Sequence, residues 1–223
     1  MADLTVSSSV DSMMQASSAS GIRDAIGAVN YPYTTDFISG TERTRNLTSI
    51  ETNSGYTFDS NLTSIYIGSN VTTIGSYAFY YCSGLTSANI PDSVTSLAEA
   101  AFASTAITSI NIPDSVTSIG NSVFYGTLLT SVDIPDSVTS IGSSAFSYST
   151  SITSVNIGKG VTTIGNYAFG GALSLATINC LATTAPTLGS NAFNNVVATQ
   201  IHVPVGATGY GTTYGGLTVV ADL

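Results

Sequence analysis

One stretch of sequence recurs six times along this chain of 223 residues. The clearest copy, ITSINIPDSVTSIGNSVFYGTL, occupies residues 107–128, and the next, LTSVDIPDSVTSIGSSAFSYSTS, occupies residues 129–151. Consecutive copies start 22 or 23 residues apart, the other starts being Leu62, Leu85, Ile152 and, more loosely, Leu175. A period of about 20–29 residues is typical of solenoids in which each repeat adds one coil to a stack.

The pattern inside one copy explains why the copies must stack. In the segment ITSINIP (107–113), isoleucines alternate with polar Ser109 and Asn111, which predicts a short strand with one buried face. Proline cannot donate to a ladder, so the strand ends at Pro113, and the Pro-Asp-Ser turn redirects the chain. Such a coil has no second layer, so it buries its apolar side chains only against neighbouring coils.

Each copy also carries one phenylalanine near its end. Equivalent positions of stacked coils lie above one another, so these rings are predicted to form one buried column. The column would consist of Phe79, Phe102, Phe124, Phe146, Phe169 and Phe193.

The string L-T-S-[IV]-x-I-P-D-S-V-T-S-I-G-x-x-A-F, with Cys82 three residues after Phe79, resembles the BspA-like branch of the leucine-rich repeats over about residues 47–205. That branch occurs in bacterial surface proteins and in some viral and protozoan proteins. The resemblance implies a leucine-rich repeat solenoid, a β-rich right-handed coil of six repeats of 22–25 residues with a parallel concave sheet. It also implies adhesion or recognition rather than catalysis.

Three regions flank or cap the repeats, which fill residues 62–199. Residues 1–30 show helical spacing of apolar residues with Gly27 as a stop, which predicts two short helices that serve attachment or assembly. Residues 31–61 contain the half-copy LTSIETNSGYTF and are expected to close the first coil as an N-terminal cap. The glycine-rich residues 200–223 are expected to form a C-terminal cap.

The first region also resembles a segment near the start of bacteriophage fibre and head or tail decoration proteins. The matching positions are 3–8 and 23–27, with Ile26 in place of leucine. The resemblance implies that residues 1–30 bind other virion proteins; the alternative is a helical cap or a leader. The region lacks the basic start and apolar core of a signal peptide, so secretion by that route is not expected.

Composition narrows the classes of partner. The net charge of -9 arises from 13 acidic residues against only Arg23, Arg43, Arg45 and Lys159. No basic stripe exists to follow phosphates, so a nucleic-acid partner is not expected. The apolar runs are far shorter than the roughly 20 residues that span a bilayer, so membrane insertion is not expected either.

The cysteines and the histidine bear on cofactors and catalysis. Cys82 and Cys180 lie five coils apart, or roughly 24 Å at about 4.8 Å per coil, too far for a disulfide. Both are expected to be small buried apolar residues. Since His202 is the only histidine, no metal or other cofactor is expected. A Ser-His-Asp arrangement would depend on that residue in a terminal strand, so the chain is not expected to be an enzyme.

Stacking turns repeat positions into ladders, and the first ladder is a polar strip on the concave side. Concave faces are the usual binding surface of solenoids. Polar side chains are also what such a face needs merely to stay soluble, so both interpretations stay open. With the serines beside it, the strip comprises Tyr66, Asn89, Asn111, Asp133 and Asn156.

The second ladder is acidic, with Asp92, Asp114 and Asp136 at one position of successive turns. Carboxylates stacked about 5 Å apart repel, and Ca²⁺ would relieve this. Aspartate after proline also has a local turn-forming role, and that interpretation is favoured over calcium.

The third ladder is aromatic and follows the phenylalanines. Tyrosine among serine and glycine is typical of recognition surfaces, because it offers amphipathic contact area at low entropic cost. Alternatively, these rings cover the edge of the core. The set is Tyr80, Tyr81, Tyr125 and Tyr148, joined by Tyr77 and Tyr167.

These features favour a non-enzymatic recognition or structural protein of a phage particle, displaying a solenoid that binds a cell-surface glycan or protein. The alternative is a bacterial cell-surface adhesin, and an intracellular scaffold comes third. A homo-oligomer is compatible with each of them.

Overall fold

The computed structural model describes residues 35–38, 41–44, 49–50 and 58–223, and it shows a solenoid of stacked coils with parallel sheets, as predicted. We number the coils 1 to 6 from the copy starts Leu62, Leu85, Ile107, Leu129, Ile152 and Leu175. The helices predicted within residues 1–30 and most of the N-terminal cap predicted at residues 31–61 fall outside the described residues. The described part of the chain contains no helix long and apolar enough to cross a membrane.

The L-T-S segments build one face, which we call the strand face. Its first sheet comprises β1 (Thr35–Ile38), β2 (Thr41–Thr44), β4 (Ser64–Tyr66) and β6 (Ser87–Asn89) in the order β2-β1-β4-β6. Here β1 pairs antiparallel with both β2 and β4, while β4 and β6 are parallel. Its second sheet has the order β16-β17-β15-β13-β11-β9. Those strands are β9 (Ser131–Ile134), β11 (Ser154–Ile157), β13 (Thr177–Cys180), β15 (Gln200–Val203), β16 (Thr213–Tyr214) and β17 (Leu217–Ala221).

The V-T-S-I segments build another face of the solenoid. It consists of a single, fully parallel sheet of two-residue strands. It runs in the order β14-β12-β10-β8-β7-β5-β3 without interruption. The strands are β3 (Ser49–Ile50), β5 (Thr73–Ile74), β7 (Ser96–Leu97), β8 (Ser118–Ile119), β10 (Ser140–Ile141), β12 (Thr163–Ile164) and β14 (Thr187–Leu188).

The prediction of a strand within residues 107–113 is wrong, although this copy shows the repeat pattern most clearly. The structure has no strand there, and the strand face is interrupted between β6 and β9. Ile110 is only half-buried, whereas the equivalent Val132 is 2% exposed. Coil 3 lies between two links, from Phe102 to Ile107 and from Phe124 to Leu129, that are each one residue shorter than in coils 1, 4 and 5. A shortening on both sides is the sequence difference that accompanies the break.

The phenylalanine column is confirmed. Five of its rings are completely buried, and Phe193 at the end is 4% exposed. Neighbouring rings stack with centroids 5.2–5.8 Å apart and planes within 20° of parallel. Continuous burial of this kind stabilises each coil only through its neighbours.

The backbone around each phenylalanine follows a strict pattern. We call the five residues from two before to two after the phenylalanine the plug segment. In coils 1 to 5, the N–H groups of its first, third and fifth residues donate to carbonyls of the next coil, with N···O distances of 2.7–3.0 Å. Its first and fifth residues have left-handed backbones in every coil, with φ between 52° and 73°.

Hydroxyl groups add further hydrogen bonds between coils. Thr153 Oγ1 donates to the carbonyl of Thr130, and Thr162 Oγ1 donates to that of Thr139. Ser137 Oγ donates to the carbonyl of Val116 in the same manner. Many of the repeated threonines and serines therefore have a structural role in joining the coils.

Both cysteines are buried, as predicted, and neither belongs to a disulfide. Burial raises the pKa of the Cys82 thiol to about 12, and it also raises the pKa of Cys180. Cys180 Sγ lies 3.2 Å from the hydroxyl of Tyr210. Protonated, enclosed thiols are poor nucleophiles, so both act as small core residues.

Glycines occupy the positions where neighbouring backbones come closest. A Cβ on Gly142 would lie 2.5 Å from the carbonyl carbon of Gly120 and 2.6 Å from the nitrogen of Asn121. A Cβ on Gly165 would similarly lie 2.5 Å from the nitrogen of Ser143. Coil 2 alone among the six carries alanine, Ala98, at this position. The glycine of the repeated I-G dipeptide therefore permits the close approach of neighbouring backbones.

We expect Gly142→Ala to lower the free energy of unfolding by about 1–3 kcal/mol, because backbone atoms cannot move aside as a side chain can. Urea unfolding followed by circular dichroism measures the change. Ala98→Gly is the matched control in the coil that accommodates a Cβ, and its effect should stay within about 1 kcal/mol. A Gly142→Ala protein as stable as wild type would contradict the close approach.

Candidate functional site

The tyrosines of the predicted aromatic ladder lie on the plug segments, and four of them occupy left-handed backbone positions. The φ angles are 60° at Tyr77, 59° at Tyr81, 56° at Tyr148 and 54° at Tyr167. A left-handed backbone costs a residue with a Cβ about 1–2 kcal/mol. Other coils place alanine, serine, asparagine or glycine at the same positions. The fold therefore does not require tyrosine there.

The structure divides this ladder into two clusters. The first contains Tyr77, Tyr80 and Tyr81, together with Phe58, whose ring centroid lies 5.4 Å from that of Tyr80 and 5.5 Å from that of Tyr81. Tyr77 and Tyr80 meet edge to face at 5.6 Å. Phe58 is 64% exposed and Tyr81 is 50% exposed. The Tyr77 hydroxyl donates to Glu99 at 3.0 Å, and this hydrogen bond raises the tyrosine pKa.

The second cluster lies on coils 3 to 5. The rings of Tyr125 and Tyr148 are 5.5 Å apart, and Tyr148 is 59% exposed. Tyr148 extends over the next coil, because a Cβ on Gly171 would lie only 3.2 Å from its Cδ1. Tyr167 and Leu173 continue the exposed apolar surface at 44% and 56% exposure.

Coil 2 separates the two clusters. It carries Ala103, which is buried, and Ser104 at the plug positions where coil 1 has Tyr80 and Tyr81. The single aromatic ladder predicted from the sequence is therefore divided into two clusters in the structure. Phe58 was absent from that prediction, and the available signal was its position 23 residues before Tyr81.

The polar strip on the strand face is hydrogen-bonded along the stack in its second sheet. Asn179 Nδ2 donates to Asn156 Oδ1 at 2.8 Å, and Asn156 Nδ2 donates to Asp133 Oδ1 at 2.5 Å. His202 follows in register with Asn179, and its Nδ1 lies 2.9 Å from Asp222 Oδ1. The strip thus runs further than predicted and ends in a histidine–aspartate pair.

Three members of the predicted strip stand apart from this ladder. Asn89 Oδ1 accepts a hydrogen bond from the N–H of Ile67 at 2.9 Å, which is a coil-joining contact. Asn111 lies in the interrupted coil 3 and is exposed. Tyr66 is the last residue of β4 and pairs with Asn89 in the ladder of β4 and β6.

The aspartate ladder is not a cluster of equivalent carboxylates. Lys159 Nζ lies 2.7 Å from Asp136 Oδ2, and the backbone N–H of Lys159 donates to Asp136 Oδ1 at 2.9 Å. Hydrogen bonding to Lys159 lowers the pKa of Asp136, and the same contact raises the pKa of Lys159. Asp92 and Asp114 are exposed beside a depression at coil 3. Within the described part of the chain, no three His, Cys, Asp or Glu side chains are grouped to hold a metal ion.

Comparison with known proteins agrees with this architecture. The BspA type leucine rich repeat region matches residues 48–175 and 147–212 in six copies. A leucine-rich repeat protein from Bacteroides ovatus has a similar structure, with a TM-score of 0.52 and 23% identity over 75% of this chain. The leucine-rich repeat protein of T. pallidum has a TM-score of 0.57 and 28% identity over 63% of this chain.

The chain spans 49% of the B. ovatus protein and 66% of the T. pallidum protein. No protein of curated function matches its sequence. Since the matched repeat region extends over well above half of the residues, and the coils, phenylalanine column and parallel sheets accompany it, the chain belongs to the BspA type leucine-rich repeat family.

Proposed function

We propose that this chain is a non-enzymatic recognition protein that binds its partner through the two aromatic clusters and the adjoining polar strip. One observation carries the proposal. Exposed tyrosines occupy left-handed positions at which the other coils place small or flexible residues. The left-handed backbone is common to every coil, but a large exposed ring at these positions is not. Exposed tyrosines that a fold does not require are typical of recognition surfaces.

The chemistry of the clusters suits contact with a protein or a glycan. Tyrosine rings bury large area with few rotatable bonds, and their hydroxyls remain available for hydrogen bonding. Residues 58–223 carry seven acidic residues and one lysine, Lys159, so the partner is neutral or basic rather than acidic. The seven are Asp59, Asp92, Glu99, Asp114, Asp133, Asp136 and Asp222.

Display on a surface is the setting that we propose. Membership of the BspA type family supports a bacterial cell surface. The resemblance of residues 1–30 to phage fibre and decoration proteins supports a virion, and an intracellular scaffold is the third setting. In each of them the solenoid acts by binding, so the proposed chemistry is the same.

A binding assay with the full chain tests the proposal. Labelled protein is titrated onto bacterial cells and onto arrayed glycans and cell-surface proteins, with heat-unfolded protein as the control. We expect saturable binding that a calcium chelator does not reduce. Failure of the folded protein to bind any surface would contradict recognition and leave a structural role.

We expect that deletion of residues 1–30 leaves the melting temperature within about 2 °C of wild type, because the segment lies outside the repeats. If the segment serves attachment, the deletion also abolishes oligomers or incorporation into particles. Thermal melting and sedimentation of the two proteins measure these effects. Unfolding of the truncated protein would show instead that residues 1–30 cap the core.

A further inference from the structure

The C-terminal end of the stack leaves one row of backbone donors without acceptors. In coils 1 to 5, three N–H groups of each plug segment donate to the next coil. The corresponding residues of coil 6 are Asn191, Phe193 and Asn195, and residues 200–223 contain no seventh plug segment. Among the described residues, these three N–H groups have no hydrogen-bond acceptor.

The rest of coil 6 is closed by residues 200–223. On the strand face, β15 and β17 continue the parallel ladder and β16 folds back on β17. Tyr210 and Tyr214 are buried and donate to the carbonyls of Ala182 and Pro186 at 2.8 and 2.7 Å. The ring of Phe193 is covered by Gly215, because a Cβ there would lie 2.8 Å from its Cδ2. The ring column is therefore closed while the backbone row beside it is open.

The open row lines a groove of about 480 Å³ between the last plug segment and the turn at Gly215 and Gly216. Leu188, Val196 and Leu217 contribute its apolar surface, and asparagines form its polar rim. None of its lining residues is charged, although the chain carries a net charge of -9. A groove of this composition favours a neutral ligand over an anion, which the whole protein repels.

We propose that this groove is a docking site for an uncharged segment of another polypeptide, whose main-chain carbonyls accept the three free N–H groups. The groove continues the interface between coils inside the solenoid, where the equivalent N–H groups of coils 1 to 5 already donate to main-chain carbonyls. Ser144, Phe146 and Tyr148 of coil 4 donate to the carbonyls of residues 166, 168 and 170, at distances of 2.7–3.0 Å. Addition of a peptide to an exposed backbone edge is a general mode of peptide recognition. The site lies at one end of the stack and is separate from the aromatic clusters.

The complementary carbonyl spacing distinguishes a peptide from a glycan. In the inner coils the three acceptors lie two residues apart along one chain, and in coil 5 they are the carbonyls of Asn166, Ala168 and Gly170. The backbone of any extended peptide has carbonyls at this spacing, so a peptide with small side chains reproduces it whatever its sequence. Binding is therefore expected to depend little on sequence and to exclude charged segments.

Residue-resolved hydrogen exchange of the full chain tests the proposal. In the free protein, the amides of Asn191, Phe193 and Asn195 should exchange much faster than those of Tyr167, Phe169 and Gly171, which are bonded to coil 6. The probe is the peptide IGNYAFGGA, which has the sequence of residues 164–172 in coil 5. In the solenoid, three carbonyls of this segment accept the N–H groups of coil 4. At saturation it should slow exchange of the three coil 6 amides at least about tenfold and leave the aromatic clusters unaffected.

Asn195→Arg provides the disrupting variant and Ser104→Arg its matched control. Both residues are fifth in their plug segments and have φ angles of 59° and 58°, so backbone strain is equal, but only Asn195 borders the groove. Protection by the peptide should disappear in Asn195→Arg and persist in Ser104→Arg. No protection in wild type at millimolar peptide would overturn the proposal, and so would protection by maltoheptaose or phosphate in place of the peptide.

Discussion

Phe124→Ala is expected to lower the free energy of unfolding by about 3–5 kcal/mol and the melting temperature by about 6–20 °C. Phe124 is completely buried, and its ring centroid lies 5.8 Å from that of Phe102 and 5.4 Å from that of Phe146. Removing the ring leaves a cavity between two stacked rings, which fixed coil spacing prevents from closing. Thermal melting and urea unfolding measure the loss.

Leu128→Ala is the control in the same coil. Leu128 is 46% exposed, so its truncation should change the free energy of unfolding by no more than about 0.5 kcal/mol. If Phe124→Ala has the same melting temperature as wild type, the central ring does not contribute to the stability of the stack as proposed.

The ring column was predictable because a repeat converts local pattern into long-range contact. Phe102 and Phe124 are 22 residues apart in sequence but occupy the same position of neighbouring coils, so counting the period places them together. The two-residue strands at Ser118–Ile119 and Ser140–Ile141 pair for the same reason. The spacing of the coils likewise placed Cys82 and Cys180 too far apart for a disulfide with each other.

The interrupted strand of coil 3 shows what the period does not determine. Ile110 and Ile112 alternate as a strand should, yet only register with both neighbours turns alternation into a ladder. Register depends on the length of the links before and after the segment. A one-residue difference in a link is visible in the sequence, but its effect on a neighbouring backbone is a tertiary property.

The aromatic ladder was predicted in kind but not in arrangement. Left-handed backbone at Tyr81 and Tyr148 has no sequence signal of its own, because the same position holds serine or glycine in other coils. The ion pair of Asp136 with Lys159 was likewise unrecognised, although both residues occupy the same turn position of adjacent coils. Side-chain partners across coils depend on rotamers, which the repeat pattern leaves unspecified.

The largest expected effect on binding is that of the combined change Tyr80→Ala, Tyr125→Ala and Tyr148→Ala. The triple variant removes rings from both aromatic clusters, and aromatic anchors of an interface commonly contribute about 2 kcal/mol or more each. We expect the affinity for any cell-surface or glycan ligand to fall by at least about tenfold, and most binding to be lost. Surface plasmon resonance measures the change, and circular dichroism must show an unchanged fold.

The matched comparison is Asp92→Asn, Asp114→Asn and Asp136→Asn in one protein, which alters as many residues on the aspartate ladder. These carboxylates are exposed at turns, where charge contacts are weak and screened by salt, and Asp136 is already paired with Lys159. Binding should change by less than about threefold and should not respond to calcium chelation. If the aspartate variant loses binding and the tyrosine variant keeps it, the contact surface is the acidic ladder and the aromatic clusters only cover the edge of the core.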